Sequence, residues 1–285
     1  NSYRFISRQA GFAVVGVAIM LFMSKVNYHI FKKLAWPIYI VTAIMLIMLL
    51  LMPPMVSGMD VKRWFVLGPI NFQPSEFGKF SIIVLFSAWI SANPGKIKQV
   101  KNLFGLIVIL GIMCVLVVLE PHLSATLLIF GIGIILLIVG GMPLKWLGVG
   151  VGVGVGGGAL AILSGAVGYG SDRIKYWLGP WADPKGLGYQ TIQSLLAIGS
   201  GGLLGRGIGQ SRQKYLWVPE PHNDFIFAII CEELGIIGAI AIILLFCALI
   251  WRGFTIAMRA KDQFGTLLAV GLTFQVGLQA LLNIL

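Results

Sequence analysis

Charge is what this sequence has least of. Only 11% of its 285 residues are Asp, Glu, Lys or Arg, less than half the roughly 25% of a soluble domain. With hydrophobic residues at 58% and a mean hydropathy of +0.93, a water-soluble globular chain is excluded. So is disorder, which needs low hydrophobicity and high charge. Cysteine is scarce: Cys114, Cys231 and Cys247 lie in apolar stretches without CxxC spacing. They build no disulfide framework or thiolate metal site and read as small core residues. Three histidines are present, and no HExxH or carboxylate cluster announces a metal. Acid is scarcer than base, 10 residues against 21, for a net charge of +11. In a soluble chain that excess would suggest nucleic acid as a partner. Here membrane topology accounts for the cations first, and no nucleic-acid partner is expected.

Long apolar runs are abundant. They fall at about 9–24, 35–53, 74–92, 103–120, 123–142, 146–164, 225–251 and 265–285, lengths that suit helices needing ~20 residues to cross a bilayer. The expectation is an all-α polytopic membrane protein with about eight transmembrane helices, a single integral membrane domain over 1–285. Lys25, Lys32 and Lys33 follow the first run, Lys96, Lys98 and Lys101 the third, Lys145 the fifth, and Arg252, Arg259 and Lys261 the seventh. These alternate connections share one side, which the positive-inside rule makes cytoplasmic. Asp60, Glu76, Glu120, Asp172, Asp183, Glu220, Asp224, Glu232 and Glu233 fall in or next to the opposite connections, and Asp262 alone is cytoplasmic. Acidic chemistry therefore faces outward. The chain opens at Asn1 and stops at Leu285 inside an apolar run, the pattern of a fragment. With its amino end outside, a cytoplasmic start needs one more span.

Two outward segments are long, about 54–73 and about 165–224. The second holds seven Tyr and Trp residues (Tyr169, Tyr176, Trp177, Trp181, Tyr189, Tyr215, Trp217), which argues against disorder and for partial seating at the interface. Its apolar piece at 191–204 is too short to span. Alternating glycines from Gly148 to Gly158 suggest a strand in water. An open strand in lipid leaves backbone groups unpaired, so a helix with a smooth packing face is expected.

The run Trp217-Val-Pro-Glu-Pro-His-Asn-Asp-Phe225 gathers Glu220, His222 and Asp224 at an outer boundary. Asp224, on the edge of an apolar helix, is either a cap or, with its pKa raised by desolvation, a base. Glu232 and Glu233 lie two turns inside the same run, where an ionisable group pairs or faces a cavity. Glu76 and Lys79, three apart, can pair, and Lys79 either completes that pair or holds a phosphate. Arg63 and Trp64 bind an anionic head group or anchor their loop. The run from Ser200 to Lys214 is glycine-rich and cationic, with Arg206, Arg212 and Lys214. Such a loop lets backbone N–H groups approach phosphate oxygens, but it lacks the GK[ST] ending of a nucleotide loop.

These residues together resemble a known family. Pro219-Glu-Pro-His-Asn-Asp-Phe-Ile-Phe-Ala228, Glu232-Glu-Leu-Gly235, Asp183-Pro184, Gly188-Tyr-Gln190, Gln193-Ser194, Ala197-Ile-Gly-Ser-Gly-Gly202, Gly209-Gln-Ser-Arg-Gln-Lys214, Arg63-Trp64 and Gln73-Pro-Ser-Glu76 look like the SEDS family (shape, elongation, division and sporulation). The Gly-Gln-Ser-Arg-Gln-Lys and Pro-Glu-Pro-His runs are closer to its FtsW-like branch than to the RodA branch, and the sporulation branch stays open. The resemblance implies about ten spans, so the first span and the C-terminal part would be missing here. It implies a peptidoglycan glycosyltransferase of the bacterial cytoplasmic membrane, polymerising lipid II into glycan strands on the outer face. It also implies a class B penicillin-binding protein as partner, beside other division membrane proteins and membrane lipids. The family's essential aspartate falls on Asp224, while Asn223 stands where many members have Thr.

Joining two lipid II molecules needs a base for a sugar 4-hydroxyl and stabilisation of a departing lipid diphosphate. The expected assignment has Asp224 as base and inverting transfer. Arg63 and Lys79 meet the diphosphate, and Glu220 and His222 orient the base. Trp64, Gln193, Ser194, Arg206, Arg212 and Lys214 complete the substrate set, supported by Glu76, Glu232 and Glu233. A divalent cation, magnesium or manganese, would shield the diphosphate, but no residues mark a site for it. Two rivals predict other outcomes: a lipid II flippase would depend on Lys79, Glu232 and Glu233 but not Asp224, and a non-catalytic division scaffold would keep its partner without any of these charges.

Overall fold

The structure is a computed structural model that describes residues 2–52, 63–67, 70–120, 122–146, 148, 179–184, 186, 188–211 and 226–284. Helix α1 spans Ser2–Met23 and α2 spans His29–Leu51. A hairpin of β1 (Phe65–Leu67) and β2 (Ile70–Phe72) leads into α3 (Pro74–Ala92). Then come α4 (Val100–Leu119), α5 (Leu123–Val139), the short α6 (Tyr189–Gly201), α7 (Ile226–Met258) and α8 (Gln263–Ile284). Five of these, α2, α3, α4, α7 and α8, are long and apolar enough to cross a membrane. Helix α5 is apolar but has 17 residues. The run at 146–164, with the glycine repeat, lies almost wholly outside the described residues.

Two differences from the sequence expectation have simple causes. Helix α2 starts at His29 rather than near 35 and takes in Lys32 and Lys33, whose long stems let a charge at a helix end reach water. The segment before α3 holds an antiparallel hairpin, pairing Phe65 with Phe72 and Leu67 with Ile70. Its β-branched and aromatic residues flank Gly68-Pro69, a turn signal that the helical emphasis passed over.

Helix α3 is the centre of the bundle, packed by α2, α4, α5 and α8. It buries residues on every side, among them Ile82, Ile83, Val84, Leu85 and Phe86, as a helix apolar all round must. Lipid tails are as apolar as leucine, so association rests on close packing over small residues. A Cβ at Gly133 on α5 would overlap Leu110 on α4. Helix α1 instead shows most of its apolar side chains outward, Val14, Val17 and Phe22 among them. Cys231 is buried and Cys114 half-buried, but Cys247 is exposed; on the outward face of α7 it is not the core residue expected.

Helix α7 is broken. Gly235 has φ +68° and ψ −170°, a region essentially reserved for glycine. The break frees backbone groups that the α6 loop satisfies. Arg206 N and Gly207 N donate to the carbonyls of Glu232 and Glu233, each at 3.0 Å, and Ile236 N donates to Gly202 O at 3.0 Å. A Cβ on Gly205 or Gly235 would overlap the facing backbone. In an apolar helix, irregular backbone persists only where protein satisfies it, and here the loop after α6 does so.

The lysine-rich end of the bundle is tied across the chain. Tyr28 Oη donates to Asp262 Oδ1 at 2.5 Å, and His29 Nε2 lies 3.5 Å from Asp262 Oδ2. The Tyr28 hydroxyl holds the Asp262 carboxyl below its usual range. The connections α1–α2 and α7–α8, predicted to share the cytoplasmic side, therefore meet at one end.

Candidate functional site at the opposite end of the bundle

The other end collects polar residues around the start of α3. Gln73 precedes the helix without a capping side-chain bond, and Pro74 takes the first turn, where its missing N–H costs nothing. The helix thus opens where the apolar run at 74–92 begins. Ser75 and Gln73 point instead at His122: Nδ1 of that ring lies 3.3 Å from Ser75 Oγ and 3.1 Å from Gln73 Nε2.

One turn into α3, Lys79 is buried. Its Nζ lies 2.8 Å from Glu76 Oε2 and donates to Gln279 Oε1 on α8 at 3.0 Å. The expected Glu76–Lys79 pair is formed. Gln279, passed over in the sequence, joins Glu76 in satisfying the buried cation; the available signal was the set of amides, Gln275, Gln279 and Asn283, in the apolar run of α8. Gln279 also lines a groove of about 350 Å³ between α7 and α8, with Ile226, Phe227, Ala280 and Asn283.

Arg63 approaches from the segment before β1, with Trp64 exposed beside it. The Arg63 Nε donates to the backbone carbonyl of Glu120 at 3.4 Å. Glu120 sits in the turn after α4, fully buried, with no hydrogen-bond partner on either carboxylate oxygen. Burial pushes its pKa up to about 8, against an opposing pull from Arg63. Burial, with Arg63 adding to it, lowers His122 to about 4, so its ring is neutral near pH 7.

A third cluster sits at the break in α7. Glu232 is fully buried. Ser211 Oγ donates to its Oε2 at 2.5 Å, and Arg206 Nη1 lies 3.6 Å from its Oε1. Ser211 N donates to Glu233 Oε1 at 3.4 Å. Arg206, predicted among the substrate cations, thus has a carboxylate in its own chain. On α6, Ser194 Oγ returns to Gln190 O at 2.9 Å, and Gln193 is half-buried beside it. Asp224, Glu220, His222, Arg212 and Lys214 lie outside the described residues. Asp224 stands two positions before Ile226, which lines the groove shared with Gln279. Among the described residues no three metal-ligating side chains cluster.

A helical bundle with five helices long and apolar enough to cross a membrane, ion pairs that each bury one partner, and a broken helix braced by the loop after α6 define the class as a helical membrane protein with a cluster of polar residues. The chain belongs to the cell cycle protein family that unites FtsW, RodA and SpoVE, whose sequence model matches residues 1–285. It is 36% identical to stage V sporulation protein E of Bacillus subtilis (strain 168), over 100% of this chain and 77% of the relative. It is 34% identical to a probable peptidoglycan glycosyltransferase FtsW of Geobacter sp. (strain M18), over 99% of this chain and 77% of the relative. Among solved structures, a chain of a peptidoglycan synthase complex that coordinates polymerization and crosslinking superposes with a TM-score of 0.76 at 25% identity, covering 97% of this chain and 77% of that one. The rod shape determining protein RodA of Thermus thermophilus gives a TM-score of 0.66 at 22% identity, covering 96% of this chain and 73% of that one, and shares the fold.

Proposed function

We propose that this chain is a peptidoglycan glycosyltransferase that polymerises lipid II on the outer face of the bacterial cytoplasmic membrane, as a single integral membrane domain of about eight spans. The activity rests on the family and its named relatives. The observation that carries the site is the buried Lys79, bound to Glu76 and Gln279 where the α7–α8 groove begins. Asp224, two residues before that groove, takes the proton of the attacking 4-hydroxyl. The nucleophile displaces the lipid diphosphate from the opposite face, which inverts the anomeric carbon. Arg63 and Lys79 supply the positive charge that the departing diphosphate needs. Two of the three Lys79 N–H donors are engaged, so its charge is fixed in place before substrate arrives.

The remaining assignments follow the same layout. Trp64, Gln193, Ser194, Arg212 and Lys214 contact substrate, and Glu220 and His222 orient the base. Arg206, Glu232 and Glu233 brace the loop that leads to it. A class B penicillin-binding protein crosslinks the strands, and the chain works among other division membrane proteins. Proteoliposomes holding the chain and its class B partner, with transpeptidation blocked, test the reading with labelled lipid II. Glycan strands are the expected product. Movement of lipid II across the bilayer without glycan would make the protein a flippase, and neither activity from a folded, partnered protein would leave a scaffold.

A further inference from the structure

His122 has no part in the reaction as described, yet it is held from two sides. Its carbonyl opens α5 and accepts from Thr126 N at 3.1 Å and Thr126 Oγ1 at 3.0 Å. Its ring reaches across to the start of α3, where Nδ1 meets Gln73 Nε2 at 3.1 Å and Ser75 Oγ at 3.3 Å. An amide nitrogen only donates. Nδ1 is therefore the acceptor, and the proton of the neutral imidazole sits on Nε2. The ring is neutral near pH 7, because burial, then the charges of Arg63 and Lys79, lower its pKa to about 4 against an opposing pull from Glu76. Both cations are near in the structure. Arg63 Nε donates to the carbonyl of Glu120, two positions before His122, and Lys79 follows Ser75 by one turn of α3. Nε2 makes no hydrogen bond among the described residues. It is not sealed in either, since the buried unpartnered side-chain atoms among those residues belong to Ser87 and Glu120.

We propose that His122 is a further substrate-binding residue, whose Nε2–H donates to an oxygen of the lipid diphosphate that Arg63 and Lys79 neutralise. The proposal rests on the reading of this end of the bundle as the diphosphate site. The two cations supply charge, and the imidazole supplies direction. Its tautomer is set by Gln73 and its backbone by the first turn of α5. The donor is thus in place before substrate arrives and needs no reorganisation when charge builds on the leaving group.

Asparagine keeps a polar atom near the position of Nδ1 and loses Nε2, whereas glutamine carries its amide to the position of Nε2. In proteoliposomes with the class B partner and transpeptidation blocked, kcat/KM for lipid II should fall by about tenfold or more in His122→Asn, the worth of a hydrogen bond to a charged group. His122→Gln should recover several-fold over His122→Asn, and both should unfold in SDS as wild type does. The second readout needs no turnover. In the complex with only this chain labelled with 15N-histidine, the rings of His29, His122 and His222 report, and the signal lost in His122→Asn is that of His122. Its Nδ1 should be bare and its Nε2 protonated in solid-state spectra. Polyprenyl diphosphate should move the Nε2–H signal at lower concentration than inorganic diphosphate, and polyprenyl alcohol should leave it in place. A proton on Nδ1, a shift with the alcohol, or no shift with polyprenyl diphosphate would overturn the proposal. Equal losses in the two variants, or losses of activity that track losses of stability, would overturn it as well. No glycan from wild type, with the diphosphate shift intact, would remove the polymerase reading and keep the His122 contact.

Discussion

Removing the Glu76 carboxylate should destabilise the protein through Lys79. The Lys79 side chain is 1% exposed and that of Glu76 is 45% exposed, with 2.8 Å between their charges. Breaking a fully buried pair by deleting one partner costs about 3–5 kcal/mol, because the other charge stays buried and uncompensated. An exposed pair is worth about 0–1 kcal/mol. Here the survivor is buried and the deleted group half-exposed, so Glu76→Ala should cost about 1–3 kcal/mol. The Gln279 amide, at 3.0 Å from Nζ, prevents a larger loss. Lys79→Met leaves only a half-exposed carboxylate that water can solvate, and should cost less. Combining Lys79→Met with Glu76→Ala should return much of the lost stability, because the stranded cation is gone. The assay is unfolding by SDS in mixed micelles, followed by tryptophan fluorescence, for the four members of the double-mutant cycle. A coupling of about 1 kcal/mol or more is expected. Strict additivity, or a Glu76→Ala protein as stable as wild type, would refute the account of how Lys79 is tolerated.

Three further outcomes follow from other parts of the bundle. Gly235→Ala should lose about 1–3 kcal/mol or more from its positive φ, besides the overlap with Gly205 and Leu203; earlier protease cleavage near Arg206 would report the α6 loop coming away. Ser211→Ala removes the 2.5 Å bond to the buried Glu232 and should cost about 1–3 kcal/mol in the same unfolding assay. The turn between α4 and α5 should give the protein an alkaline stability loss. Glu120 has its pKa raised from 4.5 to about 8, so the folded state binds more protons than the unfolded one in that window and stability falls as pH rises. His122 is lowered from 6.5 to about 4, so stability falls as pH drops through that window. The two slopes oppose each other from 4.5 to 6.5, and Glu120 acts alone from 6.5 to 8. Unfolding between pH 6.5 and 8 should therefore flatten in Glu120→Gln.

What the sequence made legible follows from which physics is local. Apolar runs with lysines in alternate connections marked out the helices, because crossing a bilayer demands length and hydrophobicity from each segment separately. The pairing of Glu76 with Lys79 was legible for the same reason, being one turn of one helix. Pairings between distant segments were not. Nothing near Lys79 in the chain points to Gln279, 200 positions on, and nothing near Glu232 points to Ser211 and Arg206 across a loop. The break at Gly235 was hidden because a glycine in an apolar run reads as packing until the loop it receives is known. Glu120 entered the sequence reading only as a marker of side; its solitude appears once α4 and α5 close around it. Asp224 rests on its motif.

The most direct measurement is glycan synthesis from labelled lipid II by wild type, Asp224→Asn and Asp224→Ala, each folded and bound to the class B partner with transpeptidation blocked. The account predicts long strands from wild type and none from either variant, with lipid II still bound. Undiminished strands from the Asp224 variants would contradict it and place the base elsewhere.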